Sequence, residues 1–446
     1  AASAIAEVVL YNVFETLTKV RGDGSVGPLL AESWTVSPDA KTYTFKLRRG
    51  VTFHNGEPFD AAAVRYSFER AAAQDSVNKD KAVFANIAAI GTPDSHTVVL
   101  TLKNGNPDLL FQLGQGTAII VEPRSAAGNN TRPVGTGPFK LDNWSRGSSI
   151  TLLRWDGWRN PKAIAMRRAT FRFINDPAAQ VAALLAGDVD GFPRFNANPK
   201  QFQADKRFTV EFGDTAGKGI MTINNKRKPL DDVRVRRALA HAVDRKAFID
   251  GVLDGLGKPI GSHFAPTDAG YVDLTKVYPY DPEKARALLK EAGVPTPLNL
   301  TLTLPPPQYA RKGGEVIAAQ LAKVGVVVKI ENVEWAQWLA GTFKGNFDLT
   351  IVNHVEPLDY MQYTNPGFYW GYDSQAFRDL AAKHAAAGSV RERSEYWAAM
   401  QKKLAEDAVN VFIFNPAQVA VAKKGLKGLW ASSPIFANDV AAISWN

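Results

Sequence analysis

An α/β fold of two or three domains is what this sequence predicts, and three observations carry the prediction. Strand-like and helix-like patterns alternate along all 446 residues, which implies mixed layers, not a bundle or a sandwich. At roughly 100 to 200 residues per domain, that length implies two or three domains. No low-complexity linker separates them, so the chain is expected to cross between domains in extended segments, at residues 219–225 (GIMTINN) and 419–423 (VAVAK).

The elements follow in order. TYTFKL, ending at Leu47, alternates polar and apolar residues, the period of a half-buried strand. VTFHNGEPF predicts a second short strand broken by an Asn55-Gly56 turn. Asp60 stands where a helix N-cap belongs, ahead of AAAVRYSFERA, whose Val64 and Phe68 share one face. FKLDNW and SSITLLRW predict strands after a tight turn at Gly135–Gly137. Asp176-Pro177 opens a helix that Gly187 ends, and Asp281-Pro282 opens another that Gly293 ends. Between Asp231 and Leu253, Val235, Leu239 and Val243 recur every four residues and predict one long amphipathic helix. Pro305–Pro307 with Arg311–Gly314 predicts a surface loop; EVIAAQLAKVG then leads as a helix into the strand VVVKI.

Composition excludes several chemistries. With no cysteine there are no disulfides, thiolate metal sites or thiol nucleophiles. Lys and Arg number 53 against 44 for Asp and Glu, a net +9 that raises nucleic acid as a partner. The basic clusters, Arg48-Arg49, Lys226–Lys228 and Lys423-Lys424, are short and lack interleaved aromatics, so they read as solvated surface and no nucleic acid is expected. Dinucleotide, phosphate-loop, zinc-protease and serine-hydrolase motifs are all missing. No two of the six histidines stand three or four apart, so neither a metal nor a cofactor is predicted.

The richest segment holds Asn353, His354, Glu356, Asp359, Tyr360, Tyr363, Tyr369, Trp370 and Tyr372 within twenty residues. Aromatic faces with a few carboxylates and amides suit a pocket for a small polar ligand, since rings exclude water while polar groups fix orientation. The alternative is a cleft hydrolase acting on peptide or sugar, with Glu356 and Asp359 as acid and nucleophile. Their spacing across Pro357 gives no reason to expect the opposed geometry that such a reaction needs.

The run LLAESWTVSPDAKTYTFKLRRGVTFHNGEPFDAAAVRYSFERA closely resembles the signature segment of the extracellular solute-binding protein family 5, the dipeptide, oligopeptide and nickel binders of ABC importers. PVGTGPFKL at Pro133, FINDPAAQVAALLAGDVDGF at Phe173, INNKRKPLDDVRVRRALAHAVDRKAFIDGVL at Ile223 and YDPEKARALLKEAG at Tyr280 extend the resemblance in the family's order. It implies a two-lobed type II periplasmic binding protein fold, cluster C-like, with two hinge strands. Lobe I would take residues 1–222 plus 420–446, with a subdomain at about 35–140, and lobe II residues 223–419.

The implied protein is a periplasmic monomer, exported by a signal peptide absent from this sequence, that closes on a peptide-like or other small polar solute. It would pass the solute to ABC permease subunits without chemistry of its own. Phe14, Glu15, Gly116 and Arg132 would line the cleft from lobe I, with Arg132 pairing a ligand carboxylate. Asn353, His354, Glu356, Tyr369 and Trp370 would line it from lobe II, the aromatics sandwiching the ligand body. Two departures stand out. The chain begins after the family's first strand, and Asn353 stands where peptide binders of the family hold the ligand's α-amino group with an Asp.

Overall fold

The computed structural model describes residues 2–446, with side chains from residue 6 onward. It divides into two compact units: Ala1–Gly213 with Ala385–Gly388 and Gln418–Asn446, and Asp214–His384 with Ser389–Ala417. Among the described residues no helix is long and apolar enough to cross a membrane.

In the first unit, four antiparallel strands stand in the order Ala31–Val36, Thr42–Leu47, Thr97–Leu102, Ile87–Asp94. Their inner residues, among them Tyr43, Phe45, Val98 and Leu100, bury against Val64 and Phe68 of the helix Ala61–Ala72. Asp60 caps that helix by accepting from the backbone N–H groups of Ala62 and Ala63. A second core forms under the antiparallel strands Phe139–Ser145, Ser149–Arg154 and Arg168–Arg172. The VTFHNGEPF segment forms no strand; only a single bridge joins Thr52 to Pro58. His54 instead bonds to the Gly135–Gly137 turn, its backbone N–H donating to the Gly135 carbonyl while its ring meets Gly135 N–H and the Gly137 carbonyl.

The second unit is built on Lys218–Ile223, which pairs antiparallel with Leu349–His354 on one side and with the start of Val411–Lys423 on the other. Leu298–Leu304 and Val326–Asn332 continue the sheet in parallel. Alternation along the central strand splits two cores: Met221 and Ile223 face the aliphatic side with Leu349 and Ile351, while Ile220 faces an aromatic side with Val352.

Three expectations are corrected. GIMTINN does not cross between units: it is mostly the fully buried central strand of the second, and the unit boundary falls at 213/214, not 222/223. The other crossing lies inside Val411–Lys423, whose early residues pair with Lys218–Ile223 and whose late residues pair with Gly191–Phe192. The long helix expected from Asp231 to Leu253 is two, Val233–Ala242 and Arg245–Val252, because Asp244 caps the second through Ala247 N–H. Arg311–Gly314 lies within the helix Gln308–Ala322, not in a loop; Gly313 and Gly314 let it pack closely, since a Cβ there would meet Phe248 and Leu304.

Candidate functional site

The aromatic side of the second unit's sheet carries a polar network that starts from a ladder pair. Lys218 and His354 stand directly opposite each other, and period-two alternation puts both on the face of Ile220 and Val352. After His354 the chain turns through Leu358, whose φ of +62° is rare for a branched side chain, into the 3₁₀ helix Asp359–Thr364. That turn aims Asp359 back at the ladder pair. Lys218 Nζ lies 3.0 Å from Asp359 Oδ1 and donates to the Glu356 carbonyl at 2.7 Å.

Both histidines close on the other carboxylate oxygen: His263 Nε2 at 2.9 Å and His354 Nδ1 at 3.2 Å from Asp359 Oδ2. Their proton positions follow from the outer partners. Asn410 Oδ1 accepts from Ile223 N–H, so its Nδ2 donates to the Tyr363 hydroxyl. That hydroxyl therefore donates to His263 Nδ1 at 2.9 Å, leaving the Nε2 proton for Asp359. With its Nδ1 proton on Asp359, His354 accepts at Nε2 from Tyr369, 2.8 Å away, and the Tyr369 oxygen accepts from Thr222.

Electrostatics agree with that assignment. Burial pushes the Asp359 carboxyl up, but His263, Lys218 and the imidazole hydrogen bonds outweigh it and hold it well below the usual carboxylate range. Burial pushes His263 down to about 4, so it is neutral near pH 7. Asp359 is thus a carboxylate balanced by one ammonium. His263, His354 and Asp359 do bring three ligand atoms within 4.8 Å of one another. Both imidazoles, however, use the facing nitrogen as a donor, and Lys218 already supplies the positive charge. The donor set suits this internal ion pair better than a metal.

Of the residues expected here, His354 and Tyr369 join the network. Trp370 is fully enclosed, stacked on Tyr363 with ring centres 4.3 Å apart. Asn353 points to the other face, next to Gly217, and Glu356 is exposed with its carboxylate accepting from Val355 N–H. Asp359, with Oδ2 taken by both imidazoles and Oδ1 facing Lys218, is not free to act as the nucleophile of a hydrolase.

In the first unit, Phe14 is a core residue and Glu15 is buried. The Glu15 carboxylate takes both ends of the Arg159 guanidinium, at 2.7 and 2.8 Å, and the Thr136 hydroxyl at 2.9 Å. Gly116 opens a short 3₁₀ turn, and Arg132 is exposed. The residues that sequence reasoning missed are Lys218, His263, Asn410 and Arg159. Lys218 alone carried a signal, the one charge in a fully buried strand.

Residues 25–375 match the family described as bacterial extracellular solute-binding proteins, family 5. The chain belongs to that family. Among its relatives, di/tripeptide-binding protein 1 of Pseudomonas aeruginosa is 31% identical over 377 residues, covering 76% of this chain and 70% of the relative. A solved periplasmic binding protein, DppA from Helicobacter pylori in complex with the peptide STSA, superposes with a TM-score of 0.79 at 27% identity, covering 97% of this chain and 92% of its own. AgaA from A. tumefaciens R10, in complex with agropinic acid, superposes with a TM-score of 0.78 at 28% identity, covering 98% and 93%. The family fold is the two-lobed type II periplasmic binding protein expected above, and its members are binding proteins of transport systems. The hydrolase alternative finds no support in them. In this family 5 protein the signature segment supplies two strands of the first unit's four-stranded sheet, Ala31–Val36 and Thr42–Leu47, and the capped helix that packs on them.

Proposed function

We propose that this protein is the periplasmic solute receptor of an ABC importer, binding a peptide-like or other small polar solute and handing it to the permease as a monomer. The family match over residues 25–375 carries this reading, supported by a di/tripeptide-binding relative. Asn353, His354 and Glu356, at and just after the end of Leu349–His354, are the second unit's proposed contacts, and Arg132, exposed in the first unit, is the cation proposed for a solute carboxylate. Tyr369 and Trp370 shape this corner from behind; their burial makes them supports for His354. Solute favours the closed state only by its differential affinity for closed over open.

Native mass spectrometry of freshly purified protein tests the reading. A bound small molecule, released on denaturation and rebinding in a calorimetric titration, is the expected result, with small-angle scattering showing compaction as it binds. Turnover of the solute, or no bound small molecule and no response to a peptide and small-acid panel, would overturn it.

A further inference from the structure

The buried carboxylate of the second unit's corner, Asp359, is already ion-paired with Lys218. Asp359 Oδ2 receives both imidazoles, and Lys218 faces Oδ1. Glu356, the other acid of the segment, is exposed, so an ion pair to it is screened by water. On the opposite side of the same strand end, Asn353 Oδ1 is buried and has no hydrogen-bond partner. Gly217 approaches it closely: a Cβ there would lie 2.9 Å from that oxygen and 2.8 Å from Pro416. Asn353 pairs in the ladder with Gly219, immediately after the cationic Lys218.

An unpartnered amide asks for a hydrogen-bonding group but supplies no charge. A solute ammonium placed against it would be desolvated without a counter-ion, an arrangement that buried charges avoid. An amide N–H or a hydroxyl would satisfy the oxygen at no such cost. Resting on the solute-binding reading above, we infer that Asn353 is a specificity-determining residue that receives an uncharged donor. The solutes of this protein then carry no free amine at this end: acylated or otherwise blocked amino-acid derivatives, or hydroxylated acids, instead of free-amine peptides.

Two measurements test this. The solute released from freshly purified protein is treated with an amine-reactive reagent and weighed. Lack of labelling is expected, and a labelled solute overturns the inference while leaving the transport role intact. Separately, Ala-Leu and N-acetyl-Ala-Leu are titrated into the wild type and into Asn353→Asp. The wild type is expected to bind the acetylated probe at least as tightly as the free dipeptide. The variant is expected to shift that ratio toward the free amine by about tenfold or more, the usual gain of a charge-assisted bond. A wild type that favours the free amine tenfold, or a variant that leaves the ratio unchanged, overturns the assignment. If no solute is released and neither probe binds, the peptide-like reading itself fails, and this inference with it.

Discussion

Lys218 and Asp359, 141 positions apart in the chain, meet at 3.0 Å with only 1% and 8% of their side chains exposed. A pair so enclosed is costly to desolvate, and its value lies in what happens when one partner is lost. Lys218→Met leaves Asp359 with its two imidazoles but no ammonium, and Asp359→Asn leaves a buried ammonium held by one carbonyl. Each is expected to lower unfolding free energy by about 3 to 5 kcal/mol in urea titrations, with the double variant losing less than the sum. Additive losses would show that the two charges do not stabilise each other.

Acid sensitivity follows from two neutral histidines. Burial pushes His263 down to about 4, and burial likewise pushes His54 down to about 4, against the opposing hydrogen bond to Gly137. Between pH 6.5 and 4 the unfolded chain binds these protons and the folded chain does not, so stability falls as pH drops through that window. Each site contributes a slope approaching about 1.4 kcal/mol per pH unit. Below about pH 4 the depressed carboxyl of Asp359 adds its own loss, since only then does the unfolded chain protonate it. Denaturation midpoints from pH 7 to 4.5 check the first window, and His54→Gln is expected to remove about half of its slope. An unchanged slope in that variant would mean that His54 is not buried neutral.

How much of this was legible differs from element to element for a physical reason. Asp60, Asp176 and Asp281 cap the helices that follow them, because a cap bonds to N–H groups two or three residues away and needs nothing else. The helix break at Asp244 was hidden, because Arg245 is anchored on the carbonyls of Tyr278 and Phe412, far away in sequence. At the candidate site the segment rich in aromatics and acids was visible, but its division of labour was not. Asp359 is consumed by Lys218 and His263, whose approach depends on sheet pairing, while Asn353 lies on the other face through alternation alone.

The Gly135–Gly137 turn offers a steric test. Its backbone lies against Asn12 and Val13, so a Cβ at Gly135 would lie 1.9 Å from the Val13 carbonyl oxygen and one at Gly137 2.3 Å from that of Asn12. These neighbours are backbone and cannot rotate away. Gly137→Ala is expected to destabilise the protein by about 2 kcal/mol or more in thermal melts, whereas Gly147→Ala, at a hairpin with open space around it, is limited to the cost of its φ of +77°. Equal losses at the two sites would contradict the close approach.

Glu15 separates folding from binding. Its carboxylate is spent on Arg159 and Thr136 within the first unit, and only 1% of its side chain meets solvent. Glu15→Gln keeps the shape but removes the charge that the guanidinium faces, so a loss of about 3 kcal/mol in stability is expected. Arg159→Leu, which strands the buried carboxylate instead, is expected to cost at least as much, because Arg159 retains 21% exposure and water can partly replace its partner. The affinity of the folded protein for its solute, titrated by calorimetry well below the melting temperature, should stay within about threefold of wild type, under 1 kcal/mol. A variant that melts normally but loses its solute would instead make Glu15 a direct ligand contact.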